Sequence, residues 1–164
     1  MVTMININQK VPNVAVKYVT NNEISEINFY DYLADKKAVI FGLPGAFTPT
    51  CSGSHLPSFA ETVENFKQKG VDQVICLAVN DVFVLKAWAQ HHKVEHKINF
   101  ISDGNGSLTQ ALGLTLDATP FGMGIRSQRY SMYVESGVVR LLNIETSSGA
   151  CTVAAAPTIL GQIL

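Results

Sequence analysis

Three continuous apolar runs constrain this chain most: residues 38–43 (Ala-Val-Ile-Phe-Gly-Leu), 74–79 (Val-Ile-Cys-Leu-Ala-Val) and, more weakly, 98–101 (Ile-Asn-Phe-Ile). A run with no polar alternation suits a strand covered on both faces, so helices must pack above and below it. Helices are expected between the runs, over residues 52–69, over 82–90 behind an Asp81 N-cap, and over 107–112. Strands and helices in alternation make a partly parallel sheet. Two earlier strands are expected at residues 14–19 and 26–30. Beyond residue 120 the pattern changes to two strands, 130–134 and 138–142, joined by Glu135-Ser136-Gly137 as a hairpin. A closing helix starts at Pro157, a residue suited to the first helical position.

No repeat, low-complexity stretch or linker interrupts the chain, and 164 residues suit one domain spanning 1–164. A net charge of -1 carries no electrostatic footprint for nucleic acid or an anionic membrane. No apolar run approaches the roughly 20 residues needed to span a bilayer. The first ten residues hold a single lysine and no continuous apolar stretch, unlike a signal peptide, so a reducing cytoplasm is the expected location. The three cysteines, Cys51, Cys76 and Cys151, form neither a disulfide framework nor a CxxC zinc pattern.

Cys51 follows Thr48-Pro49-Thr50. Thr48 is a favoured N-cap and Pro49 a favoured first helical residue, which puts Cys51 in the first turn, where unsatisfied N–H groups and the helix dipole favour a thiolate. Gly42, Pro44 and Gly45 let the incoming strand approach closely. The local context alone leaves two readings open, a reactive thiolate or an inert buried thiol. Pro57, six residues on, is expected to kink the helix early.

Pro44-x-x-x-Thr48-x-x-Cys51 matches the PxxxTxxC active-site motif of peroxiredoxins. The longer stretch from Gly45 through Ser52 to His55-Leu56-Pro57 resembles the type II, or peroxiredoxin-five-like, group. The resemblance continues through Ala78-Val79-Asn80-Asp81, Ala87-Trp88, Ser102-Asp103-Gly104, Ala111-Leu112-Gly113-Leu114 and residues 126–131, and so covers nearly the whole chain. The element order fits the fold this implies: α/β, thioredoxin-like with peroxiredoxin elaborations, a central mixed β-sheet flanked by helices. The resemblance implies a thiol-dependent peroxidase that reduces hydrogen peroxide and alkyl hydroperoxides through a Cys51 sulfenic acid, in antioxidant defence, with no metal or organic cofactor. It carries the peroxidatic role to Cys51, the hydroxyl role to Thr48, the shielding role to Pro44 and the pocket guanidinium to Arg129. By sequence distance alone Arg126 competes with Arg129. It also implies a homodimer with each site near the subunit interface.

Cys76 resembles the second cysteine of many type II members but lies inside an apolar run. Cys151 lies close to, but out of register with, the C-terminal resolving position of others. Both are possible resolving thiols. A one-Cys-like cycle is the favoured expectation, with glutathione and glutaredoxin or thioredoxin as reductant. Phe47, Phe121 and Met123 are expected to bear on pocket width. Two other patterns compete: His92-Lys93-Val94-Glu95-His96 spells the H-x-x-E-H of some zinc proteases, and Cys51 with His55 has the spacing of a thiol nucleophile and its base. A non-enzymatic thioredoxin-like interaction module is a further alternative.

Overall fold

The computed structural model describes residues 3–147 and 149–164. The chain opens with an antiparallel hairpin of β1 (Ala15–Thr20) and β2 (Glu23–Asn28). Its turn is Asn21-Asn22, with φ of 49° and 66°, a left-handed backbone that asparagine tolerates better than most residues. After α1 (Phe29–Leu33) come β3 (Lys37–Leu43), α2 (Leu56–Ala60), α3 (Val63–Gln68), β4 (Gln73–Ala78), α4 (Val82–His91), β5 (Asn99–Ser102) and α5 (Ser107–Leu112). Two short strands, β6 (Thr115–Asp117) and β7 (Ile125–Ser127), pair only with each other. The chain ends with the hairpin β8 (Tyr130–Glu135) and β9 (Val138–Ile144), then α6 (Ala156–Gln162).

Seven strands form the main sheet in the order β2-β1-β5-β4-β3-β8-β9. The three runs form its parallel centre, and antiparallel β1 and β8 flank them. Alternation of side chains along each strand divides the interior into two cores. Phe41, Cys76 and Phe100 face one way, with Phe59, Phe66, Trp88 and Ile159. Ile40, Ile75, Leu77 and Ile101 face the other, with Leu108, Leu112 and Met132. Each such fully buried side chain contributes about 1.5–3 kcal/mol.

The mixed sheet and flanking helices are those expected, and three local features differ. The single helix expected over 52–69 is instead a π-helical turn, Cys51–His55, followed by α2 and α3. Pro57, second in α2, has no N–H to give to residue 53, and the Leu56 N–H reaches five residues back to the Cys51 carbonyl, which widens the turn. The strand expected to run to residue 30 stops at Asn28, because Phe29 and Tyr30 open α1. β6 and β7 have three residues each, too few to show a period. Asp81 caps α4 as expected, accepting from Val84 N at 2.9 Å. Ser136 and Gly137, at φ of 50° and 77°, make the tight β8–β9 turn.

Candidate active site

Strand register assembles the site. Gly42, near the end of β3, pairs with Tyr130, the first residue of antiparallel β8, so Arg129 sits beside the point where the chain leaves β3 for Pro44 and Cys51. Gly42 is required here: a Cβ on it would lie 2.1 Å from the Tyr130 ring. Pro44 and Gly45 are buried, and the Asn80 side chain at the end of the neighbouring strand accepts from Ala46 N at 2.9 Å. Asn80 is itself held by Ser102 Oγ, which donates to its carbonyl at 2.7 Å. Phe47 then takes a left-handed φ of 63°. Such a conformation persists only where its surroundings impose it.

Pro49 is the first helical residue, as expected, and Ser52 N donates to Thr48 O at 2.9 Å. Thr48 occupies the cap position without capping: its hydroxyl donates to Gly45 O at 2.7 Å and closes the loop on itself. Trp88 Nε1 donates to Ser52 Oγ at 3.0 Å, pinning the π-turn to α4.

Cys51 has no exposed surface, and Arg129 is 2% exposed. Arg129 Nη2 donates to Cys51 Sγ at 3.2 Å, and Nη1 contacts His55 Nδ1 at 2.9 Å. Arginine can only donate, so Nδ1 must accept, and the His55 proton lies on Nε2, which donates to Ala154 O at 3.0 Å. Burial, reinforced by the Arg129 cation, pushes His55 down to about 3. The ring centroid lies 5.1 Å from that of Phe41 and 5.6 Å from that of Phe59. His55 is a neutral acceptor that orients the guanidinium. A guanidinium held against sulfur in a dry pocket stabilises negative charge on the sulfur and on an oxygen bound to it.

The structure therefore brings Pro44, Thr48, Cys51 and Arg129 together at one end of the sheet. Arg126 does not compete for the sulfur: its Nε donates to Met123 O at 2.9 Å and its Nη1 reaches Pro44 O at 3.4 Å, bracing the loop from outside. Met123 Cε lies 3.3 Å from the position of a Cβ on Gly45, whereas Phe47 and Phe121 are exposed. The Cys51–His55 spacing was visible in sequence and pointed to a nucleophile and base. Both imidazole nitrogens are engaged elsewhere, and the ring's part in orienting Arg129 had no local signal. The anchor role of Asn80 was likewise illegible.

The other thiols are placed differently. Cys76 is fully buried in β4 between Phe41 and Phe100, and burial pushes its thiol well up, Cys51 adding to the effect and Arg129 opposing it. Cys151 is partly exposed, and burial raises it too, against the pull of Arg129. All three thiols are free. In the H-x-x-E-H stretch, His92 caps the end of α4 and Lys93 turns to a φ of 57°, so His92 and His96 share no helix face. Among the described residues no group of three or more His, Cys, Asp or Glu is placed to hold a metal ion. Among them, too, no helix is long and apolar enough to cross a membrane.

Known proteins resemble this chain over most of its length. Residues 6–160 match the Redoxin family model. The chain is 40% identical to Peroxiredoxin-2C of Arabidopsis thaliana over 157 residues, covering 95% of this chain and 96% of that protein. It is 42% identical over 137 residues to the hybrid peroxiredoxin hyPrx5 of Haemophilus influenzae, covering 84% of this chain and 56% of that protein. The crystal structure of reduced Prx3 from Vibrio vulnificus in complex with hydrogen peroxide superimposes with a TM-score of 0.91 at 40% identity, covering 98% of this chain and all of that one. With a thioredoxin-like fold, a family model matched over residues 6–160 and a relative 40% identical over 96% of its own length, this chain belongs to the type II peroxiredoxins and is a thiol peroxidase of antioxidant defence.

Proposed function

We propose that Cys51 is the peroxidatic thiol, with Thr48, Pro44 and Arg129 completing its pocket. The observation that carries this is the buried Arg129 Nη2 at 3.2 Å from Cys51 Sγ, held there by His55. The Cys51 thiolate attacks the terminal oxygen of the peroxide in line with the O–O bond. A new S–O bond forms as the O–O bond breaks, the sulfur is oxidised by two electrons, and the leaving oxygen takes the bonding pair and a proton to depart as water or alcohol. Arg129 neutralises charge on sulfur and both oxygens. The Thr48 hydroxyl, already donating to Gly45 O, has lone pairs to accept the peroxide O–H, and buried Pro44 keeps water from the thiolate.

The sulfenic acid is returned by an external thiol: the incoming sulfur displaces hydroxide, which leaves as water, and a second thiol releases Cys51 from the mixed disulfide. Glutathione with glutaredoxin, or thioredoxin, is the reductant class. Support for this one-Cys-like cycle comes from Cys76, whose backbone is paired on both sides in the sheet and whose thiol sits in the core. A disulfide needs closely placed Cα atoms and side chains aimed at each other, and the Cys76 strand is held on both sides by its neighbours. Three unpaired thiols support a reducing compartment, the cytoplasm. Phe47, Phe83, Phe121 and Ile125 stay 52%, 72%, 75% and 57% exposed on segments near the site end of the sheet. Apolar side chains left in water there support a homodimer whose interface flanks the active site.

Intact-mass analysis with a free-thiol count tests this, before and after one equivalent of hydrogen peroxide, on the wild type and on Cys51→Ser. The expected result is a rapid gain of one oxygen that glutathione reverses and Cys51→Ser lacks. Loss of two thiols and two hydrogens would replace the external-thiol cycle with an internal or intersubunit disulfide, and no rapid change at Cys51 would refute its peroxidatic role.

A further inference from the structure

The segment that holds His55 has no regular secondary structure of its own and is tied down by one carboxylate. Glu145 follows β9 directly and is 7% exposed. Its Oε1 accepts from Thr152 N and, at 2.9 Å, from Ala154 N, while its Oε2 faces the Thr152 hydroxyl at 3.2 Å. Its own N–H donates to Arg129 O at 2.9 Å, an extension of the β8–β9 pairing. Burial raises the Glu145 carboxyl, but the N–H groups of Ala154 and Thr152, the Thr152 hydroxyl and the Arg129 cation outweigh it, and the group titrates below its usual range. A buried carboxylate that turns two backbone N–H groups inward orients the peptide units carrying them.

The contacts form a closed ring. Glu145 grips residues 152–154, Ala154 O receives the His55 Nε2 proton, His55 Nδ1 receives Arg129 Nη1, Arg129 Nη2 reaches Cys51 Sγ, and the Arg129 backbone returns to Glu145. The segment is also fastened to the Cys51 turn from outside, where Thr50 Oγ1 donates to Gly149 O at 3.0 Å. We infer that Glu145 is a positioning residue of the peroxidase: it touches neither sulfur nor substrate, and by clamping residues 152–154 it sets Ala154 O, and through His55 the rotamer of Arg129. This rests on the peroxidatic role of Cys51.

Glu145→Ala releases both N–H groups, whereas Glu145→Gln keeps an acceptor oxygen for them and offers its amide to the Thr152 hydroxyl. The experiment is stopped-flow oxidation of Cys51 by hydrogen peroxide, with circular dichroism as a folding check. For Glu145→Ala the second-order rate constant is expected to fall about 10- to 100-fold, the cost of misplacing a reacting group by about an ångström. Glu145→Gln is expected to recover most of that loss. In a His55→Ala background Glu145→Ala is expected to cause little further loss, because both act through one path. If Glu145→Ala does not fold, Glu145→Asp, shorter by one methylene, carries the same expectations. A folded Glu145→Ala or Glu145→Asp with the wild-type rate, no recovery in Glu145→Gln, or losses that multiply with those of His55→Ala would each overturn the clamp. A wild type that leaves Cys51 unoxidised would instead refute the peroxidatic role.

Discussion

Cys51 and Cys76 are both free thiols with no exposed surface, and both belong to the same core cluster. Cys76 lies in the middle of a strand bonded on each side to another strand, in a shell of aliphatic and aromatic carbon. Cys51 lies in a widened π-turn, with the guanidinium of Arg129 against its sulfur. Burial without a cation in contact favours the protonated, inert thiol, whereas a guanidinium bonded directly to the sulfur offers a partner for negative charge. The difference between the two sulfurs is therefore one of neighbours, not of depth.

The largest test removes the cation. Arg129→Gln keeps hydrogen-bonding groups without the charge, and the rate of Cys51 oxidation by hydrogen peroxide is expected to drop about 100- to 1000-fold in stopped-flow measurement. A drop smaller than about tenfold would mean that the thiols differ for another reason, such as access.

The next test uses pH to disturb the group that orients the cation. His55 is held neutral in the fold, with its folded-state value depressed to about 3 against 6.5 for an ordinary histidine. The unfolded chain thus takes up a proton that the folded chain refuses, so this stabilisation is complete above about pH 6.5 and is lost as pH falls toward 3. Urea unfolding of the wild type at pH 7, 6 and 5 should show a contribution approaching about 1.4 kcal/mol per pH unit below 6.5. A His55→Asn variant should lack that component of the slope, and an identical slope in both proteins would contradict a buried neutral imidazole.

A smaller effect is expected from Asn80→Ala, which frees the Ala46 N–H and with it the left-handed Phe47. Cys51 oxidation should slow about tenfold through loss of loop geometry, with the accessibility of Cys76 to alkylation unchanged. The smallest expected effect on rate is that of Cys76→Ser: Cys51 oxidation and glutathione-linked turnover within about twofold of wild type, at a stability cost of about 1–3 kcal/mol for a hydroxyl in an apolar strand. Lost turnover in that variant would make the buried thiol a participant and remove the contrast.

Much of this was legible along the chain. The apolar runs became the parallel strands, Asp81 capped its helix, and Pro49 began the turn that holds Cys51, because each depends on neighbours a few residues apart. The Pro44, Thr48 and Cys51 spacing survives in space for the same reason. The breakdown of the helix over 52–69 was only half legible: Pro57 announced a disturbance, but the π-turn that accommodates it lies before the proline, where Trp88 pins Ser52 from another helix. The strands β6 and β7 were invisible because their pairing stabilises three-residue segments that have no pattern of their own.

Residue types and local spacing by themselves determined that this chain would build a mixed α/β sheet and present a cysteine at a helix start. Sheet register decided the rest. It set Arg129, not Arg126, against the sulfur, turned His55 from an apparent base into an acceptor for that arginine, and placed Glu145 where it gathers residues 152–154. Helix starts and turns arise from forces between near neighbours in sequence. The electrostatics of a buried thiol depends on which distant side chains close packing brings within about 4 Å, and only the folded chain specifies those.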